Sequence, residues 1–86
     1  VSEVKVLHNA VCREHIIMKV GNGPASRQPV IEIANLFRAK VVNVAESRLM
    51  LELTGEPEKI DSFIGLLQPY GVKEIVRTGI SALERD

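Results

Sequence analysis

Aromatic residues are nearly missing from this chain: it has Phe37, Phe63 and Tyr70, and no tryptophan. Three rings cannot tile a base-stacking platform, so single-stranded nucleic acid is a poor match. Charge of one sign is missing too. Lys+Arg number 11 and Asp+Glu number 11, with a pI near 6.9. A balanced surface argues against nucleic acid or an anionic membrane as the principal partner. The single cysteine, Cys12, excludes an intramolecular disulfide and fits a reducing compartment. No apolar run approaches the roughly 20 residues that cross a bilayer. At 86 residues there is material for one domain. A domain of this size buries only about 60% of its unfolded-chain surface, so it gains from association.

The hydrophobic pattern specifies six elements. His15 to Val20 alternates, with Ile16, Met18 and Val20 on one face and His15, Ile17 and Lys19 on the other. Gly21-Asn22-Gly23-Pro24 breaks that strand. Ser26 is placed to cap a helix that tolerates Pro29 in its first turn, with the stripe Val30, Ile33, Ala34, Phe37. Lys40 to Ala45 is a β-branched run, and Glu46-Ser47 makes a tight turn. Arg48 to Thr54 then alternates, Leu49, Leu51 and Leu53 inward and Arg48, Met50, Glu52 and Thr54 outward. A slip of one residue would invert that strand. Pro57 opens a second helix with the stripe Ile60, Phe63, Ile64, Leu67, and Pro69 ends it. Val72 to Thr78 is the last strand, and Gly79 punctuates it.

This βαββαβ string predicts an α+β, ferredoxin-like fold: a four-stranded antiparallel sheet with two helices on one face. The expected strand order is fourth, first, third, second. The domain is expected over residues 12–80. Residues 1–11 read as a strand (Val4, Val6, His8) and a connector (Asn9-Ala10-Val11) left from a preceding unit. Residues 81–86 read as a tail or a helical turn. The sheet face away from the helices, carrying Ile17, Lys19 and Met50, is half apolar. With Arg77 at the end of the last strand, it is the expected interface of a symmetric dimer or higher homo-oligomer.

Candidate chemistry is sparse. His8, Cys12 and His15 offer three ligand types for a zinc or nickel ion, with no fourth His or Cys to close the site. Gly21 and Gly23, with Ser26 and Arg27 at the helix start, offer backbone amides to a small anion or an amino-acid carboxylate; the plain alternative is the turn this connection needs. Glu56, Glu58 and Asp61 sit where a helix dipole favours carboxylates. Arg77 is placed to bind an anion or to pair with Glu14 or Glu74. No catalytic triad, phosphate loop or metalloprotease helix is recognisable.

Four stretches taken together resemble the C-terminal domain of the small, regulatory subunit of acetolactate synthase. They are Val11-Cys12-Arg13-Glu14-His15-Ile16-Ile17-Met18-Lys19-Val20, then Ile31 to Val44 with Phe37-Arg38-Ala39-Lys40-Val41-Val42-Asn43-Val44, then Leu51 to Phe63, then Glu74-Ile75-Val76-Arg77-Thr78-Gly79-Ile80-Ser81-Ala82-Leu83. The resemblance implies a non-catalytic domain of ACT-like fold, with residues 1–7 as the last strand of a preceding ACT domain. It implies association with a large catalytic subunit that uses thiamine diphosphate, Mg and FAD, in branched-chain amino acid biosynthesis (valine, leucine and isoleucine). It also implies a bacterial cytoplasm or a plastid stroma. The family's valine-binding loop belongs to the domain missing here, so no effector-binding residue transfers. No cofactor is expected in this chain. The alternative is a free-standing amino-acid- or metal-sensing dimer; the nickel-responsive repressors use a related fold.

Overall fold

A computed structural model describes residues 9–85. Five strands and two helices follow in the order β1 (Ala10–Gly21), α1 (Arg27–Phe37), β2 (Lys40–Val44), β3 (Arg48–Gly55), α2 (Pro57–Leu67), β4 (Val72–Arg77) and β5 (Ser81–Glu84), with a 3-10 turn over Gln68–Tyr70 before β4. The sheet order is β2-β3-β1-β4, the arrangement expected from the two βαβ halves.

The alternation in β3 sets the register. Leu49, Leu51 and Leu53 pair across to Val20, Met18 and Ile16 of β1, and all six side chains are buried. Val30 and Ala34 of α1 and Ile60, Phe63 and Leu67 of α2 close the core from above. Phe37 meets Phe63 between the helices, centroids 5.2 Å apart and tilted by 53°, within the separation at which aromatic pairs attract.

Local chemistry ends the elements. Ser26 takes the N-cap position of α1 but its side chain makes no capping bond; the backbone N–H groups of Ser26 and Arg27 donate to the Gly23 carbonyl instead. Arg38 ends α1 in the left-handed region at φ 59°, where glycine is the usual residue. Gly21 lies so close to the Tyr70 carbonyl that a Cβ there would approach it to 2.8 Å. The end of β1 therefore requires glycine for packing.

Two expectations are corrected at the ends. Ala10 and Val11 are not a connector: β1 begins at Ala10 and runs unbroken through the boundary expected at residue 12. Residues 81–84 are not a helical turn: they form β5, paired with β1 as Ala10↔Glu84, Val11↔Leu83, Cys12↔Ala82 and Arg13↔Ser81. The physical reason is register. The β4 ladder continues past Arg77, with the Thr78 N–H donating to the His15 carbonyl at 3.0 Å. Gly79, at φ 87°, then absorbs one extra residue as a bulge, and β5 resumes along the same edge of β1. The strand expected over Val4 to His8 lies outside the described residues.

β3 accompanies β1 only from Glu14 onward. Residues 10–13 and 81–84 therefore leave the body as a two-stranded arm, consistent with extents of 48 × 24 × 20 Å.

Candidate functional site: the open sheet face

β-strand parity places Val11, Arg13, His15, Ile17 and Lys19 on the side of β1 away from the helices. Met50, Glu52 and Thr54 join them from β3, and Glu74 and Val76 from β4. Ile17, Met50 and Val76 form an apolar strip at its centre; Val76 is 65% exposed. Between them lies a depression of about 130 Å³ lined by Ile17, Met18, Lys19, Met50, Glu74 and Val76. An ion pair and a hydrogen-bonded pair border the strip. Lys19 Nζ lies 2.9 Å from Glu74 Oε1, and His15 Nε2 lies 2.7 Å from Glu52 Oε2. The Lys19 ammonium, by hydrogen bond and charge, holds the Glu74 carboxyl below the usual carboxylate range. An apolar centre with a polar rim is the anatomy of a protein interface.

Of the expected interface residues, Ile17, Lys19 and Met50 share this face. Arg77 does not. It pairs across the sheet with Ile16, on the helix side. There its Nε donates to Glu14 Oε2 at 2.9 Å, its Nη2 donates to Glu14 Oε1, and the same Nη2 reaches Asp61 Oδ1 at 3.2 Å. Glu14 is 5% exposed, so the pair clamps β1, β4 and α2 rather than awaiting a ligand. The Arg77 hydrogen bond, with help from the Gly79 N–H, holds the Glu14 carboxyl below its usual range. Glu14 in turn raises Arg77. Val76 takes the place intended for Arg77. Sequence reasoning missed it because a register shift between Lys19 and Val20 breaks the simple alternation of β4.

The other candidates are not brought together into sites. Cys12 and His15 are three residues apart on one strand, so they point to opposite faces, and His15 is engaged by Glu52. His8 lies outside the described residues, and those residues contain no cluster of three or more potential metal ligands. At the strand-to-helix loop, Asn22 is buried; its Nδ2 donates to the Ala45 carbonyl and its Oδ1 accepts from Arg27 Nε at 2.9 Å. Arg27 is thereby committed to holding the loop. Gly21 and Gly23 serve the turn beside it, and Ser26 leads into the helix. No helix among the described residues is long and apolar enough to cross a membrane.

The fold is a ferredoxin-like module that leaves one half-apolar sheet face open. The chain belongs to the family of acetolactate synthase small subunits, whose model, described as "Small subunit of acetolactate synthase", matches residues 13–86. It is 43% identical over 77 residues to the acetolactate synthase small subunit of Mycolicibacterium smegmatis, covering 90% of this chain and 45% of that protein. It is 44% identical over 75 residues to the small subunit of Bacillus subtilis, covering 87% of this chain and 44% of that protein. A crystal structure of the small subunit from Thermotoga maritima superposes with a TM-score of 0.83 at 36% identity, over 90% of this chain and 47% of that one. The chain thus spans about half the length of the relatives it matches.

Proposed function

We propose that this chain is a non-catalytic regulatory and assembly domain of acetolactate synthase. It binds copies of itself and the large catalytic subunit, and supports that subunit's activation and feedback control in branched-chain amino acid biosynthesis. Thiamine diphosphate, Mg and FAD belong to the catalytic partner. The bacterial relatives favour a cytoplasmic setting. The observation that carries this reading is the match at 43–44% identity across nearly the whole chain to acetolactate synthase small subunits. The half-apolar sheet face supports it by supplying a surface for association.

Regulation through such a domain requires contacts that differ between two states of the assembly. The test uses a small subunit that contains this sequence, with and without it. Removing residues 9–85 is expected to weaken binding to the catalytic subunit at least about tenfold, near 1.4 kcal/mol, and to lower activation of acetolactate formation. Unchanged affinity and unchanged activation would reject the proposal.

A further inference from the structure

Among the described residues, Arg38 is the only one other than glycine with a positive φ. It lies between α1 and β2 at φ 59° and ψ 37°, a conformation that glycine adopts freely and a residue with a Cβ does not. The helix cap has no need of an arginine. The Arg38 N–H donates to the Asn35 carbonyl at 3.1 Å and the Ala39 N–H to the Ala34 carbonyl at 2.8 Å, bonds that the backbone alone makes. The domain does not use the guanidinium either. Arg13, Arg27, Arg77 and Arg85 each bond an oxygen of the chain, whereas Arg38 enters no ion pair among the described residues. Backbone strain kept for a side chain with no internal use points to a function outside the fold.

Lys40, two residues on, is isolated in the same way. It stands opposite Glu52 in the β2–β3 ladder, but Glu52 Oε2 is 2.7 Å from His15 Nε2, and Lys40 enters no ion pair among the described residues. That ladder starts at Lys40↔Glu52, so β3 has no β2 neighbour at Leu53 and Thr54. The chain instead climbs through Ala39 and Arg38 to the helix. A notch of about 250 Å³ results, lined by Arg38, Lys40, Glu52, Leu53 and Thr54. Leu53 has its side chain in the core and gives the notch its backbone; Thr54 is exposed and gives a hydroxyl. The carbonyl end of α1 favours positive charge here. A helix end accepts any cation, however, and does not explain why arginine stands where glycine would relax the backbone.

A guanidinium fork, an ammonium and a hydroxyl converge on the notch as donors. A planar carboxylate would fill the fork and leave the other two unmet. A tetrahedral phosphate presents oxygens in several directions and meets all three. At about 30 Å³ per water the notch holds the volume of about eight waters, room for a phosphate and the first atoms of its carrier.

We infer that the notch between α1 and β2 binds a phosphate group. Arg38 takes two of its oxygens through the fork, Lys40 balances its charge, and Thr54 donates its hydroxyl to a third oxygen. Glu52 borders the notch on the His15 side and repels an oxyanion there, which sets the phosphate toward Arg38. The site goes beyond the regulatory reading and does not depend on it.

Inorganic phosphate is the probe. Amide NMR spectra of the chain are followed as phosphate replaces chloride at constant pH and ionic strength. Saturable shifts in the millimolar range are expected at Arg38, Ala39, Lys40, Leu53 and Thr54. Arg38→Gly is expected to weaken binding at least about tenfold while the thermal midpoint holds or rises, so lost binding is not lost fold. Lys40→Gln, on the exposed edge, is expected to weaken it about threefold. Arg48→Ala removes another arginine that enters no ion pair among the described residues and is expected to change nothing. Glycerol phosphate separates the sources: tighter binding than inorganic phosphate assigns the site to a phosphate monoester, and equal binding assigns it to the free ion. Shifts that spread over the basic residues without saturating would overturn the inference, as would unchanged affinity in Arg38→Gly.

Discussion

Leu51→Ala and Met50→Ala are adjacent substitutions that the sheet sends to opposite faces. Leu51 is wholly buried, paired with Met18 on β1 and Val41 on β2. Truncation removes three carbons from the packed layer under the helices. Burial of a leucine side chain is worth about 1.5–3 kcal/mol, and an unrelaxed cavity brings the expected loss to about 3–4 kcal/mol. A chain of 86 residues has a total stability of about 4–13 kcal/mol at typical values per residue, so this one change removes a large share of it. The midpoint of thermal unfolding falls by about 4–8 °C for each kcal/mol in a domain of this size, hence by more than about 12 °C. Met50 lies on the open face and is only half-buried. Its truncation is expected to cost less than about 1 kcal/mol. Urea unfolding at a dilution where the chain is monomeric separates the two, because association otherwise adds a concentration-dependent term. Equal losses for the two variants would refute the assigned register. A loss below about 1 kcal/mol for Leu51→Ala would refute the assigned core.

Gly65 is exposed on α2 and a Cβ there meets nothing within 4 Å, so Gly65→Ala is expected to stabilise by about 0.5–1 kcal/mol. Gly79→Ala also meets nothing within 4 Å, but at φ 87° it is expected to destabilise by about 1–2 kcal/mol and to loosen β5; paired denaturation curves for the two variants check both signs. Arg38→Gly relieves the left-handed C-cap of α1 and is expected to raise stability by up to about 1 kcal/mol in the same assay. Glu14 has a folded-state pKa below its ordinary value of 4.5, so its stabilisation is present above that value and is lost as pH falls through the lowered one. Glu14→Gln should therefore unfold with a shallower dependence on pH below about 4.5; an unchanged acid limb would dissociate Glu14 from the clamp.

The helices, their stripes and the strand order were legible because local patterns carry them. Leu49, Leu51 and Leu53 alternate without interruption, and Val30, Ala34, Ile60, Phe63 and Leu67 fall at helical spacing onto one core. β5 was not legible. Ser81–Glu84 is too short to show a period, and it is a strand only because Ala10–Arg13 lies beside it, a pairing across more than 60 residues of sequence. The parity of β4 was hidden for a related reason. Val72 and Ile75 both face the helices despite being three apart, because the register shifts beside them; this moves Arg77 off the open face and puts Val76 on it. Alternation alone placed Ile17, Lys19 and Met50 on the open face, whereas the position of Val76 there required the tertiary pairing. The buried Asn22 that occupies Arg27 had no local signature, so the loop looked more open to a ligand than its hydrogen bonds leave it.

The proposed role of this domain is to assemble with itself and with the acetolactate synthase catalytic subunit. The most direct measurement is the mass of the chain by light scattering, alone and mixed with that purified subunit. A dimer of the 9.5 kDa chain that moves into the elution peak of the catalytic subunit is expected. A monomer that elutes unchanged in the presence of the catalytic subunit would contradict it.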